Sequence, residues 1–190
     1  VQRNAGAQAG DVLVLGKPLG VGIYSAALKK NLLGTEGYAQ MIGATTRLNT
    51  PGPELAALPG VHAITDVTGF ALAGHALELA RGAGVTVQID WPAVPLLPGV
   101  RDFAAQGIVT GASGRNWAAY GHEVALPEGF GDTERALLTD PQTSGGLLVA
   151  CTPDSVRDVL SVFERQGFGD AAVVGRVEPA GAKPLAVRLA

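Results

Sequence analysis

Apolar and polar positions along the chain follow two periods, one typical of strands and one typical of helices. Short apolar runs predict strands at residues 11–16, 61–65, 85–89, 147–151, 171–177 and 184–189. Apolar residues three and four positions apart predict helices at residues 23–30, 36–48, 51–58, 69–81, 100–106, 133–138 and 153–167. Because crossover and hairpin connections both occur in this order, the pattern predicts an α/β fold with helices packed on a mixed β-sheet.

The pattern is weakest at the start and in the middle of the chain. Residues 1–10 are small, polar and turn-rich, which predicts a linker that leads into one domain at residues 11–190. Between residues 90 and 138 the periodicity fades, and the glycine-rich stretch 111–120 is predicted to be a flexible loop. Neither an internal repeat nor a second domain boundary is visible in the sequence.

Charge and composition narrow the class of protein. Fourteen Lys and Arg against 17 Asp and Glu give a net charge of −3, which argues against a nucleic-acid partner or an anionic membrane surface. The longest charge-free run, residues 141–153, is too short to span a bilayer. The single cysteine excludes an intramolecular disulfide and a multi-thiolate metal site, and it suggests a cytoplasmic location. Only 16% of the residues are charged, so the surface either carries few charged side chains or is partly covered by a partner.

Asp66 is the strongest single candidate for a functional residue. It follows an apolar strand and precedes Thr68, Gly69 and a predicted helix, so its carboxylate is expected at the mouth of the sheet. There it can hold Mg²⁺, which takes oxygen ligands and needs only one or two protein carboxylates. Thr68 and Gly69, at the start of the helix, can meet phosphate oxygens. Equally, Asp66 can simply cap that helix.

Other candidates carry weaker signals. Residues 139–146 (TDPQTSGG) place hydroxyls beside paired glycines, which is typical of a structured turn or of a close backbone approach to a ligand. In the predicted loop, Arg115 and Trp117 can bind an anionic or planar ligand, or they can pack the loop against the rest of the domain. Lys17 is predicted to be solvated unless it faces a phosphate. The histidines His62, His75 and His122 lack metal-site spacing, so packing or surface roles are expected for them. Cys151 is expected to be buried and inert.

Four segments in a fixed order identify a family resemblance. They are residues 10–23 (GDVLVLGKPLGVGI), 65–75 (TDVTGFALAGH), 111–121 (GASGRNWAAYG) and 139–148 (TDPQTSGGLL). Together they span nearly the whole chain and resemble the C-terminal half of the selenophosphate synthetases, also called selenide, water dikinases. The chain departs from the family pattern at Gly16, where Thr is usual, and at Ala71 and Ala73, where Gly and a larger apolar residue are common.

The resemblance implies an enzyme that makes selenophosphate from selenide, ATP and water, releasing AMP and phosphate, with Mg²⁺ and usually K⁺. It implies a fold like that of aminoimidazole ribonucleotide synthetase, in which an N-terminal half forms a homodimer and a C-terminal half is a three-layer α/β/α domain of partly ferredoxin-like topology. In this chain the resemblance points to Asp66 as a Mg²⁺ ligand. The other catalytic groups of the family belong to the N-terminal half, so residues 1–190 contain no catalytic residue and are expected to be inactive alone.

Two alternatives remain open at this point. One is another ATP-using enzyme of the same superfamily, for example a synthetase that acts on a phosphoribosyl substrate. The second is a non-catalytic module that uses the fold to bind a partner. The TDPQTSGG and GASGRNW segments favour the selenium branch.

Overall fold

The computed structural model describes residues 5–190 as seven strands and eight α-helices. The strands are β1 (Val12–Leu15), β2 (Val61–Asp66), β3 (Val85–Asp90), β4 (Val124–Ala125), β5 (Leu147–Cys151), β6 (Ala172–Pro179) and β7 (Leu185–Arg188). The helices are α1 (Val21–Lys29), α2 (Thr35–Thr46), α3 (Gly52–Ala56), α4 (Ala71–Ala83), α5 (Val100–Ala105), α6 (Gly111–Tyr120), α7 (Asp132–Leu138) and α8 (Val156–Arg165). In this part of the chain, no helix is both long and apolar enough to cross a membrane.

The strands form a single mixed sheet in the order β2-β5-β1-β6-β3-β7-β4. Neighbours from β2 to β3 pair antiparallel, whereas β7 pairs parallel with both β3 and β4. The predicted α/β class and mixed sheet are therefore confirmed. The sheet has two different halves, because its strands bury their side chains in different ways.

The β2-β5-β1 half is covered on both faces. Leu13 and Leu15 of β1 belong to one apolar core with helices α1 and α4, while Val14 between them belongs to a second core with α3 and α8. Successive side chains of a strand point to opposite faces, so this split is what a doubly covered strand requires. All five residues of β5, the central strand of this half, are buried, which makes the layering α/β/α here.

The β6-β3-β7 half has one apolar face. Val87, Ile89, Val174, Leu185 and Val187 all lie in the core shared with α1 and α4. In the described residues, these three strands contribute nothing to the second core. The alternate positions are more polar, as the exposed Arg176 and Arg188 show. This alternation is typical of strands with one face packed on a core.

The structure differs from the local predictions at three places. The stretch predicted as a flexible loop is helix α6, and the Thr110 hydroxyl caps it by accepting from the Ser113 N–H at 3.1 Å. Capping and tertiary contacts here outweigh the poor helix propensity of two glycines. The helix predicted from residue 153 begins as a 3₁₀ turn at Pro153–Ser155 before α8. The short strand β4 was not predicted, because two residues carry no periodicity.

The segment just before β1 packs against the domain. Ala7 is buried, and the Gly10 N–H donates to the Val177 carbonyl at 2.9 Å. The Asp11 carboxylate accepts from the Gln8 N–H at 2.9 Å and lies 2.9 Å from His62 Nδ1. Residues 1–4 of the predicted linker lie outside the described residues.

Candidate functional site

The C-terminal ends of β1 and β2 lie beside the N-terminal end of β5, and this strand-end side of the sheet is called its edge below. Asp66 pairs with Leu147 in the register of β2 and β5, and the Val67 N–H donates to the Gly146 carbonyl at 2.9 Å. Gly16, just after β1, donates its N–H to the Leu147 carbonyl at 2.9 Å. Three of the segments singled out by their sequence are therefore neighbours in space.

Asp66 is exposed at this edge and its carboxylate is free. Within residues 5–190 it makes neither a hydrogen bond nor an ion pair with a side chain. It does not cap helix α4, which begins at Ala71 with Phe70 in the N-cap position, so the capping interpretation is wrong. The carboxylate lines an open groove of about 800 Å³ together with His62, Asn49 and Gly52.

The surroundings of Asp66 fit a partly hydrated Mg²⁺ ion. A solvent-facing carboxylate is the ligand type that this ion prefers, and Mg²⁺ usually keeps several waters rather than entering an all-protein cage. In the part of the chain that is described, no group of three or more His, Cys, Asp or Glu residues could hold a metal. A Mg²⁺ ion at Asp66 would therefore take most of its other ligands from water, phosphate or other protein groups.

The loop after Asp66 is held by helix α6. Asn116 Nδ2 donates to the carbonyls of Gly69 at 3.0 Å and Thr139 at 3.2 Å, so it ties this loop to the segment 139–146. The Tyr120 hydroxyl donates to the Phe70 carbonyl at 2.6 Å. Thr68 and Gly69 are both exposed, and Thr68 Oγ1 lies 3.0 Å from His75 Nε2. The segment predicted to be a flexible loop is therefore a helix that positions a neighbouring loop.

The TDPQTSGG segment caps helix α1. Gln142 Oε1 accepts from the Gly20 and Val21 N–H groups at 3.2 and 3.3 Å, and Asp140 Oδ2 accepts from the next two, Gly22 and Ile23, at 3.0 and 3.3 Å. These are N–H groups that a helix cannot satisfy internally. Two side chains therefore complete the whole first turn, and the structured-turn interpretation of this segment is confirmed.

Asp140 is fully buried, and its other oxygen, Oδ1, has no partner among the described residues. Burial raises the pKa of Asp140 to about 7, against the opposing effect of the N–H donors from Ile23, Gln142 and Gly22. A carboxyl group enclosed in this way is not available to a metal ion. Of the two Asp residues in Thr-Asp pairs, only Asp66 faces solvent.

The paired glycines of this segment allow two backbones to pass at close range. A Cβ on Gly145 would lie 1.9 Å from the Val67 carbonyl oxygen, and one on Gly146 would lie 2.5 Å from the Lys17 nitrogen. No side chain fits in either position. The glycines are needed for packing between the TDPQTSGG segment and the strand ends, rather than for approach to a ligand.

Lys17 is buried, contrary to the prediction that it is solvated. Its Nζ donates to three backbone carbonyls, those of Ala44 at 3.0 Å, Arg47 at 2.6 Å and Ser144 at 2.7 Å. Burial, followed by the nearby Arg47 charge, lowers the pKa of Lys17, while Asp66 acts in the opposite direction. The ammonium group joins the end of α2 to the TDPQTSGG segment and has no free donor for a phosphate.

The remaining candidates have structural surroundings. Trp117 packs under the Arg135 guanidinium, 5.1 Å from the ring centroid, while Arg115 is exposed. His122 is exposed, as expected of a surface residue. Cys151 is buried, and burial, with a smaller contribution from Asp11, raises the pKa of its thiol to about 11. A thiol of this kind is inert at neutral pH, as predicted.

Sequence reasoning missed the residues that hold the loops in place. Asn116, Tyr120 and Gln142 all lie in the recognised segments, but their partners are backbone groups 23 to 122 positions away in the chain. No periodic or spacing signal reports such contacts. His75 was assigned a packing or surface role, and its contact with Thr68 was likewise not anticipated.

Comparison with known families defines the class of protein. Residues 8–187 match the family described as AIR synthase related protein, C-terminal domain. This match covers almost the entire chain, so the chain belongs to that family. The predicted fold class agrees with this assignment.

The family resemblance read from the four segments is also confirmed. The chain is 65% identical over 177 residues to the selenide, water dikinase of Burkholderia orbicola (strain MC0-3), covering 93% of the chain and 50% of the relative. It is 65% identical over 178 residues to that of Pseudomonas straminea, covering 94% and 50%. The chain therefore spans about half the length of the curated relatives it matches.

Solved structures support the fold. The crystal structure of E. coli HypE aligns with a TM-score of 0.71 and 22% sequence identity. The alignment covers 97% of this chain and 48% of the HypE chain. The structure of the hydrogenase maturation protein HypE in complex with ATP aligns with a TM-score of 0.70 and 16% sequence identity. That alignment covers 99% of this chain and 50% of the HypE chain. At these identities the likeness establishes the architecture alone.

Proposed function

We propose that this chain is the C-terminal half of a selenide, water dikinase, the enzyme that converts selenide, ATP and water into selenophosphate, AMP and phosphate. The observation that carries the proposal is 65% identity, over 93% of the chain, to relatives of that name that are twice as long. In this view residues 1–10 are the linker and residues 11–190 are the C-terminal domain. The full-length enzyme is proposed to be a cytoplasmic homodimer.

The proposed role of this half is to supply one ligand for Mg²⁺. Asp66 offers a free carboxylate at the sheet edge, and the loop behind it is fixed by Asn116 and Tyr120. A rigid loop places a ligand without an ordering cost at each binding event. When bound, Mg²⁺ would offset the negative charge of the ATP phosphates. Thr68 and Gly69 are proposed to lie against the bound Mg²⁺-ATP, and K⁺ is proposed as a further cofactor.

The isolated chain is proposed to be inactive. Residues 5–190 contain no group of three or more His, Cys, Asp or Glu residues that could hold a metal ion, and the Lys17 ammonium group already donates to three backbone carbonyls. One carboxylate-bound Mg²⁺ should hold a nucleotide poorly. The groups that bind selenide and complete the ATP site are proposed to belong to an N-terminal half, for which the length of the relatives, twice that of this chain, leaves room.

The test uses the full-length enzyme and a matched pair of variants. Asp66→Ala should abolish selenide-dependent AMP formation while leaving the circular dichroism spectrum and thermal midpoint unchanged. Asp170→Ala, at another exposed aspartate, is the control and should retain full activity. Retained turnover in Asp66→Ala would refute the metal assignment. Robust AMP formation by residues 1–190 alone would refute the proposed division of labour.

A further inference from the structure

Phe70 is an apolar side chain that the domain holds in solvent. It is 58% exposed, and with Thr68 and Gly69 it forms a run of three exposed residues between strand β2 and helix α4. The Phe70 ring lies 6.0 Å from the His75 ring between centroids, at an interplanar angle of 50°. This single aromatic neighbour leaves most of the ring in water. An exposed phenylalanine forgoes the favourable free energy that burial of its ring would supply.

The backbone that carries Phe70 is fixed by hydrogen bonds from two helices. The Phe70 carbonyl accepts from the Tyr120 hydroxyl at 2.6 Å and from the Gly74 N–H at 3.2 Å. The carbonyl before it, that of Gly69, accepts from Asn116 Nδ2 at 3.0 Å. Because the backbone is already ordered, a partner that binds the ring loses little free energy in immobilising this loop.

Two locally unfavourable features accompany the outward position of Phe70. The next residue, Ala71, is fully buried with a φ angle of 69°, in the left-handed region that disfavours residues with a Cβ. Gly74, a poor helix former, lies in the first turn of helix α4, and a Cβ there would lie 2.5 Å from Phe70 Cβ. Backbone strain of this kind is concentrated at sites that bind ligands or partners.

The place of Phe70 in the chain indicates what covers it. Phe70 follows Asp66 by four residues, so their Cα atoms are at most about 14 Å apart. A protein interface of ordinary size buries about 800 Å² on each side, which corresponds to a round patch of about 16 Å radius. A protein partner centred on the Asp66 site therefore reaches Phe70 as well.

We infer that Phe70 is an anchor residue through which this domain docks onto the N-terminal half of the full-length protein, with its ring in an apolar pocket of that half. The inference rests on the proposed function for the presence of that half and its approach to Asp66. The chain matches a C-terminal domain and spans 50% of its relatives, so a second half of similar size has to be placed. Aromatic residues held in one position carry much of the binding energy of interfaces.

The first experiment measures whether the position of Phe70 is covered, and it does not depend on any activity. Phe70→Cys is made in the 190-residue chain and in the full-length protein, and alkylation by iodoacetamide is followed peptide by peptide with mass spectrometry. Cys151 is buried and gives little background. The introduced thiol should react at least about tenfold more slowly in the full-length protein, because the N-terminal half covers it.

Leu189→Cys is the matched control. Leu189 is 39% exposed and follows β7, which is five strand positions from β2 and therefore about 24 Å away at the usual strand spacing. Its thiol should react at rates that agree within about twofold in the two proteins. Equal rates for Phe70→Cys in both proteins would overturn the inference.

The same labelling distinguishes other occupants of this surface. Protection of Phe70→Cys that appears in the 190-residue chain as its concentration rises would assign the surface to a second copy. Protection of that chain by Mg²⁺-ATP would assign it to the nucleotide. Either result would overturn the inference, whereas protection that requires the full-length protein supports it.

The second experiment tests whether the ring itself stabilises the docked state. In the full-length protein, Phe70→Ala should raise the amide hydrogen exchange of residues 68–70 about tenfold, as expected for the loss of one interface anchor. Phe70→Leu keeps an apolar side chain and should raise it by no more than about threefold. In the 190-residue chain, neither variant should shift the thermal midpoint by more than about 3 °C. Unchanged exchange in full-length Phe70→Ala would overturn the inference.

Failure of this inference and failure of the proposed function give different results. A full-length protein without selenide-dependent AMP formation that still protects Phe70→Cys would refute the dikinase and keep the docking role of Phe70. An active full-length enzyme in which Phe70→Cys reacts as fast as in the 190-residue chain would keep the proposed function and refute the docking role.

Discussion

Two segments of this chain begin with the same dipeptide and have opposite roles. Thr65-Asp66 ends strand β2 and leaves the Asp66 carboxylate free in solvent, whereas Thr139-Asp140 follows helix α7 and buries the Asp140 carboxylate completely. Asp140 and Gln142 satisfy the first turn of α1, so that loop is part of the scaffold. The comparison shows that the residue type indicates candidate chemistry, while burial and N–H donors decide whether a carboxylate is available to a ligand.

The largest expected difference between the two loops comes from their glycines. Gly145→Ala would place a methyl group 1.9 Å from the Val67 carbonyl oxygen, so we expect a loss of about 3 kcal/mol or more in the free energy of unfolding. Gly69→Ala is the matched control, because no atom lies within 4 Å of the place its methyl group would take, and its cost should stay below about 1 kcal/mol. Urea unfolding of the chain measures both. Equal losses would contradict the assignment of the second loop to the scaffold.

Alanine substitutions of the two aspartates should change the free energy of unfolding by different amounts in the same assay. At pH 6, Asp140→Ala removes the acceptor for two N–H groups of α1 and leaves a cavity, so we expect a loss of about 2 to 3 kcal/mol. Asp66→Ala removes no contact among the described side chains and should change the unfolding free energy by less than about 0.5 kcal/mol. A destabilising Asp66→Ala would mean that its carboxylate has a structural partner after all.

Asp140 also makes the stability of the second loop depend on pH. Since burial raises the pKa of Asp140 to about 7 from its ordinary value of 3.8, the unfolded chain releases this proton first as the pH rises. The associated stability is fully present below about pH 4 and is lost progressively up to about pH 7. Asp140→Asn cannot titrate, so its stability relative to the unmodified chain should rise by about 3 to 4 kcal/mol across this window.

Denaturant unfolding of both proteins at intervals from pH 4 to pH 8 measures that difference. Other titrating groups contribute equally to both proteins and cancel in the comparison. A difference that is constant with pH, or one that falls as the pH rises, would show that Asp140 is ionised in the folded protein throughout.

The smallest expected effect concerns backbone strain, which both loops contain. Ser144 in the second loop and Ala71 just after the first have φ angles of 51° and 69°, a left-handed region that disfavours residues with a Cβ. Ser144→Gly should stabilise the chain by about 0.5 kcal/mol, because Ser144 is exposed and loses no packing. Ala71→Gly should gain less, because its methyl group is fully buried. Thermal melts measure both, and a loss of stability in Ser144→Gly would contradict the strain at that position.

The sequence predicted the periodic parts of the fold well. Strand β5 has the predicted bounds, and helices α1, α4 and α7 lie within two residues of theirs, because periodic apolar side chains must face a core. Helix α6 was predicted as a loop, since its stability depends on the Thr110 cap and on contacts with other segments rather than on its own pattern. Its glycines gave a misleading local signal.

The candidate site shows the same division. The family and the exposed position of Asp66 at the end of a strand could be read from the chain, because motifs and strand ends are local features. The roles of Asp66, Thr68 and Gly69 in ligand binding stay predictions. The buried state of Lys17, the capping role of Asp140 and Gln142, and the contact between His75 and Thr68 could not be read from the chain. The contacts of Lys17, Asp140 and Gln142 join groups from distant parts of the chain, and that of His75 depends on how the loop after β2 meets helix α4. Hydrogen bonding in a water-poor environment, rather than residue type, determines which polar group remains free to act.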